Sequence, residues 1–173
     1  IDFPPGTSDE PLTVAQNLPD IDGMVIVTTP QDVALMDSRK SITFAKSLKV
    51  DVIGVIENMS GYTVRGKAPA GTDIELAAPG GKTIAVTTDS DGNWSGTLDI
   101  FKAGGGEKTA IEFGVPFLGK IPFDPGFVRG GDDGVHRIVS EPEGLSSMAF
   151  GEVVTRIQNR VEMTAEVGYA DSK

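Results

Sequence analysis

Two short apolar runs separated by one amphipathic stretch constrain this fold more than any other feature. Gly23-Met24-Val25-Ile26-Val27-Thr28 and Val50-Asp51-Val52-Ile53-Gly54-Val55-Ile56 carry almost no alternation. Runs of that kind suit strands covered on both faces. Between them, Val33, Met36, Ile42, Ala45 and Leu48 recur at helical spacing, while Asp37, Arg39, Lys40 and Lys46 fall on the other side. Thr29-Pro30 closes the first strand, and Asp32 is the expected N-cap of the helix. Strand, helix, strand in this order requires a right-handed crossover and a parallel sheet.

A second α/β block follows downstream. Gly104-Gly105-Gly106 opens a short helix from Glu107 to Phe113, which Gly114 ends in the left-handed capping position. Pro116 to Ile121 supplies another strand, stopped by Pro122, and a short turn or helix follows near Asp124 to Val128. A last helix is expected from Leu145 to Met163, with Met148, Ala149, Val153, Ile157 and Val161 as its apolar face; 164–173 reads as a frayed tail.

The middle differs. Thr72 to Leu76 and Thr83 to Thr87 alternate with a period of two, as half-wet antiparallel strands do. Pro79-Gly80-Gly81 and Asp91-Gly92-Asn93 are hairpin-turn chemistry, and Trp94 is expected to plug a small local core. The organisation is therefore an α/β domain over 1–62 and 99–163, interrupted at 63–98 by a small antiparallel β-meander. That segment alone resembles part of a bacterial immunoglobulin-like repeat.

Charge and composition narrow the partners. The net charge is −10 and the basic residues are scattered, so no basic stripe offers nucleic acid or an anionic membrane a surface. No stretch is apolar enough to span a bilayer. Zero cysteines exclude disulfides and thiolate-held metal sites built from these residues alone. Ile1-Asp2-Phe3-Pro4-Pro5 has neither a basic nor an apolar leader region, so a cytoplasmic setting is expected. It also opens like a strand interior without Met, and the chain is expected to be a piece of a longer protein lacking its N-terminal strands.

Four motifs carry chemistry. Asp2-Phe3-Pro4-Pro5-Gly6 places a carboxylate beside a stiff turn, which suits Mg²⁺ near a phosphate; the bland alternative is a capping or turn carboxylate. Thr28-Thr29-Pro30-Gln31-Asp32 lies at the C-terminal end of a strand, where open α/β sheets place ligands. Glu57-Asn58-Met59-Ser60-Gly61 holds an Asn able to offer donor and acceptor to an adenine edge, or simply to make a turn. Gly119-Lys120-Ile121-Pro122-Phe123-Asp124-Pro125 is a rigid loop able to wall off a base.

Other candidates read more plainly. Gly81-Lys82-Thr83 ends like a phosphate loop, but Leu76 stands where the first Gly belongs and a strand follows, so a hairpin turn is favoured. Gly104-Gly105-Gly106 reads as a flexible joint ahead of an anion-binding helix start. Asp89, Asp91 and Asn93 read as a solvated turn ahead of a calcium loop, and His136 as a surface side chain.

DFPPGTSDE, DGMVIVTTPQDVAL, GVIENMSGY, GGGEK and VPFLGKIPFDP, in this order, resemble the Mrp family of iron–sulfur cluster carriers. These are deviant-Walker P-loop ATPases related to MinD and ParA proteins. The resemblance covers about Ile1 to Gly61 and Phe101 to Val161. It implies a Rossmann-like P-loop NTPase domain that binds ATP with Mg²⁺, forms a homodimer, holds a [4Fe–4S] cluster between subunits and serves apo iron–sulfur client proteins. By it, Asp2 takes the Walker-B-like metal role, Pro5 and Gly6 belong to the switch turn, and Asn58, Pro122, Phe123 and Asp124 surround adenine. The family's phosphate loop would lie upstream of Asp2, Ser8 stands where the family has Gly, and the family's paired cysteines would follow ENMSG, where this chain runs straight from Tyr62 into the antiparallel segment. Three readings follow: an ATPase and cluster carrier, inactive as this chain alone; a cluster-free positioning ATPase; or a non-catalytic protein-binding module.

Overall fold

The computed structural model describes residues 1–3, 9–18 and 21–170. In chain order its elements are α1 (Asp9–Asn17), β1 (Met24–Thr28), α2 (Asp32–Ser47), β2 (Val52–Glu57), β3 (Tyr62–Lys67), β4 (Asp73–Ala78), β5 (Lys82–Thr87), β6 (Asn93–Leu98), α3 (Gly105–Phe113), β7 (Phe117–Lys120), α4 (Pro125–Asp133), α5 (Arg137–Ser140) and α6 (Leu145–Ala170).

The apolar runs become the parallel sheet that they demand, in the order β1-β2-β7. One face carries Ile26, Val52 and Val55 against Ile42 and Ala45 of α2 and Ala110 of α3. The other carries Ile56 and Leu118 against Val153 of α6. Each Ile, Val or Leu among them contributes about 1.5–3 kcal/mol by leaving water, so this two-sided core is what holds the body together. Gly54 lets β7 approach: a Cβ there would stand 2.7 Å from the Pro116 carbonyl oxygen and 2.6 Å from Leu118 Cγ.

Several local expectations are corrected. Gln31, not Asp32, is the N-cap of α2, and it makes no side-chain cap bond; Asp32 sits one place later, in the first turn, and pairs with Lys102. The buried stripe of α2 is Leu35, Ser38, Ile42 and Ala45. Val33 and Met36 stand off that stripe and are 76% and 58% exposed. Likewise Val153 is buried on α6 while Met148 is mostly exposed. The helix runs to Ala170, past the point where fraying is expected.

The segment after Gly61 is antiparallel, as its alternation indicates, but it is not a meander. β3 pairs only with β6, and β4 only with β5. The registers Tyr62↔Leu98, Lys67↔Asn93, Asp73↔Thr87 and Ala78↔Lys82 share one constant sum of residue numbers. The segment is therefore a single long two-stranded ribbon, pinched at 68–72 and 88–92. At the pinch, buried Thr88 takes over bonds that a ladder would make: its Oγ1 donates to the Pro69 carbonyl at 2.7 Å and accepts from the Thr72 N–H at 2.8 Å. Asp89 accepts the Asp91 and Asn93 N–H groups at 2.9 and 2.8 Å. The tip then folds back over the base, because a Cβ at Gly96 would meet Leu76 Cδ1 at 2.4 Å and Val86 Cγ1 at 3.4 Å. Trp94 lies across Gly66, whose missing side chain makes room for the indole. Sequence alternation is the same for a meander and a folded ribbon, so only the pairing distinguishes them.

Candidate nucleotide-base site

β1, β2 and β7 end side by side, with Thr28 opposite Glu57 and Glu57 opposite Lys120. Beyond those ends, two loops are stitched together. The Asn58 N–H donates to the Thr28 carbonyl at 2.7 Å, Ile121 N–H to Glu57 at 2.8 Å, Ser60 N–H to Ile121 at 3.0 Å and Phe123 N–H to Gly61 at 2.8 Å. The ladder thus continues past the strands and brings ENMSG against Ile121-Pro122-Phe123. Two motifs far apart in sequence share one wall at the C-terminal edge of a parallel sheet, the usual ligand position in such sheets.

Asn58 is half-buried at this edge. Its Oδ1 accepts the N–H of Met59 at 2.9 Å, and Met59 takes a left-handed φ of 56°. That bond fixes which end of the amide faces the turn. The Nδ2 group makes no hydrogen bond among the described residues and remains as a donor. Turn residue and base reader are therefore compatible roles for one side chain.

Phe123 is clasped edge-on by Tyr62, ring centroids 5.8 Å apart, and by Phe101 at 6.1 Å. Both partners lie at the root of the ribbon, so the ribbon buttresses this loop. Asp124 caps α4, accepting the Gly126 N–H at 2.7 Å and the Arg137 Nε–H at 3.1 Å. Burial alone would raise this carboxyl, but the Gly126 N–H, Arg137 and Ser146 outweigh it and hold it below the ordinary carboxylate value. Both Asp124 oxygens are committed to the protein, so this residue shapes the wall through α4.

Glu57 is the residue that sequence reasoning missed. It is fully buried. Oε1 accepts from Ser60 Oγ at 2.5 Å and from the Gly104 N–H at 3.0 Å, and Oε2 accepts from the Gly106 N–H at 2.6 Å. The Gly-rich start of α3 does bind an anion, but the anion is the chain's own carboxylate. The expected flexible joint is instead pinned. The pattern of a Glu closing an apolar strand was the available signal, since an unpartnered carboxylate does not persist in such a place.

The remaining candidates are placed as follows. Asp2 is exposed, and no group of three or more His, Cys, Asp or Glu suited to a metal forms among the described residues. Pro5 and Gly6 lie outside the described residues. Gly81-Lys82-Thr83 forms the β4–β5 turn and the start of β5, with Gly80 and Gly81 at φ 79° and 72°. His136 is exposed at the start of α5. Among the described residues no helix is long and apolar enough to cross a membrane.

Comparison with known proteins places this geometry. The chain is 40% identical over 162 residues to the iron–sulfur cluster carrier protein of Methanocaldococcus jannaschii, covering 94% of this chain and 46% of that protein. It is 36% identical over 167 residues to the protein of the same name from Synechocystis sp., covering 96% and 40%. The chain thus spans less than half the length of these relatives. Among solved structures, the septum site-determining protein MinD of Pyrococcus horikoshii, complexed with Mg-ADP, superposes with a TM-score of 0.50 at 18% identity, covering 83% of this chain and 44% of that one. That likeness establishes a MinD-like P-loop NTPase fold. The family described as ParA, NUBPL iron-transfer P-loop NTPase, matches over residues 1–86 and 84–158. The chain belongs to that family.

Proposed function

We propose that this chain contributes the base-holding wall of an ATP site in an iron–sulfur cluster carrier. The observation that carries this reading is the stitching of the Asn58 turn to the Pro122–Asp124 loop at the C-terminal edge of the sheet. Asn58 Nδ2 would donate to a ring nitrogen of the base, Pro122 and Phe123 would flank it, and Asp124 would keep the loop in place. Asp2 would offer a carboxylate to Mg²⁺, with Pro5 and Gly6 as the turn that follows it. Mg²⁺ supplies charge neutralisation on the phosphates when bound. The N–H groups of Gly104 and Gly106 are already taken by Glu57, so the phosphates would be held elsewhere.

The cluster is cargo in this reading. With no cysteine in 173 residues, this chain offers the cargo no thiolate, and its ligands would come from outside it. Apo client proteins, a homodimer and a cytoplasmic setting follow from the same reading. A cluster-free positioning ATPase is the second reading, favoured by the ribbon that directly follows Gly61. Adenosine titrated into ¹⁵N-labelled chain tests the base site: shifts at Asn58, Ser60 and Phe123 that Asn58→Ala abolishes are expected. Unmoved Asn58 resonances would remove the base site from the proposal. Iron analysis of the full-length protein after anaerobic reconstitution separates the two readings, since iron-free protein would leave only the positioning ATPase.

A further inference from the structure

We infer that Glu57 is a positioning residue, whose buried carboxylate locks the start of α3 to the turn that carries Asn58 so that the two move as one unit. The inference deepens the base-site reading and rests on it for its functional consequence, but the lock itself is a property of the ligand-free chain. Glu57 joins four segments. Its main chain ends β2 and its carbonyl holds Ile121, at the exit of β7. Its carboxylate holds Ser60 inside the turn and Gly104 and Gly106 at the start of α3.

The chemistry is demanding. A carboxylate out of water persists only when both its oxygens are hydrogen-bonded, and here three donors serve them, two on Oε1 and one on Oε2. α3 adds the favourable end of its dipole. A Cβ at Gly106 would stand 3.0 Å from Glu57 Cβ and 3.2 Å from Oε2, so the helix start approaches the carboxylate as closely as a glycine permits. The exposed pair of Lys102 with Asp32 ties the same loop to α2, which leaves the stretch from 102 to 106 anchored at both ends. Asn58 is the very next residue after Glu57, and its N–H is fixed on Thr28. Any shift of the α3 start is therefore transmitted to the amide that faces the base.

Two substitutions separate this role from simple packing. Glu57→Gln keeps the shape but turns one acceptor into a donor facing a donor; Glu57→Asp keeps the charge with a shorter reach. Amide hydrogen exchange on the ligand-free chain is the direct readout. In Glu57→Gln the Gly104, Gly106 and Met59 amides are expected to exchange about tenfold faster or more, together, while the β1 and β2 core amides hold. Adenosine affinity, read from the Phe123 shift, is expected to fall by a similar factor, with Glu57→Asp intermediate. Unchanged exchange at Gly104 and Gly106 would overturn the lock. Faster exchange there with Met59 and adenosine affinity unchanged would overturn the coupling. Asn58→Ala distinguishes the two proposals: it should abolish the adenosine shifts and leave Gly104 and Gly106 protected. If adenosine fails to bind the unmodified chain, the base site falls, and the exchange data alone still decide the lock. Should Glu57→Gln fail to fold, Ser60→Ala removes one of the three donors and is read in the same way.

Discussion

The parallel body and the antiparallel ribbon are held together differently. In the body, strands distant in sequence meet, as Val55 meets Phe117, and Ile42, Val55 and Ala110 are almost wholly removed from water. In the ribbon, the side chains of β4 and most of β5 alternate between exposed and half-buried, and the core is two stacked pairs of strands with Trp94 across Gly66. The body is a core that recruits its backbone. The ribbon is a backbone ladder, with turn chemistry at Thr88 and Asp89 doing what a core would otherwise do.

That contrast is breakable, and the largest expected effect lies in the body. Ile42→Ala should cost about 2–5 kcal/mol, because the sheet cannot close over the lost volume. Chemical denaturation would report it as a lower midpoint, while ribbon amides keep their native shifts through the body's transition. A ribbon that loosens in step with the body would show that the two are one cooperative unit. Next comes the same substitution in both regions. Gly54→Ala drives a Cβ into the Pro116 carbonyl and Leu118 and should cost about 1–3 kcal/mol of global stability. Gly66→Ala drives one into the Trp94 ring at 2.5 Å, and should quench or shift tryptophan fluorescence while leaving the body's melting temperature in place. Equal losses from both would erase the distinction.

Acid sharpens it further. Asp124 and Asp89 both have carboxyls held below the ordinary value, the first against burial by Gly126 and Arg137, the second chiefly by the Asn93 N–H. A depressed folded value means stabilisation that is complete above the unfolded carboxylate range, near pH 4, and lost as pH falls through the folded value. Asp124→Asn keeps a capping side chain but loses the Arg137 pair, so it should cost about 1 kcal/mol at neutral pH and flatten the acid limb of body unfolding. Asp89→Asn should flatten only the local response of the ribbon, read from amide shifts of 89–93. The smallest effect is expected from replacing 63–97 with a two-residue turn. The body should keep its circular dichroism spectrum and melt within a few degrees of the parent. A collapse of the body would mean that Tyr62 and Phe101 buttress more than Phe123.

Much of the body was legible because its signals are local and strong. The runs that became β1 and β2, the left-handed Gly114 and the Asp124-Pro125 helix start each follow from a short stretch. The α2 stripe was half-read: Ile42 and Ala45 were found, but Leu35 and Ser38 displaced Val33 and Met36, since helical spacing admits neighbouring phases. The ribbon's strands were legible and its pairing was not. For the site, Asn58 and Phe123 were nominated from motifs, and their adjacency came only with the backbone bonds between Gly61 and Phe123. A Glu closing an apolar strand marked Glu57 as needing partners, but two of its three donors are the main-chain N–H groups of Gly104 and Gly106, which leave no residue-type signature.

The constant register sum of the ribbon has a consequence for how the chain folds. A hairpin can zip outward from the Ala78–Lys82 turn using only near neighbours, and each new pair shortens the stretch still open. When it reaches Tyr62 and Leu98, the ends of the ribbon are already together, and the entropy of closing that loop has been met locally. β2 and α3 then find one another as though almost nothing lay between them. The long excursion after Gly61 should thus add little to the folding time of the parallel sheet.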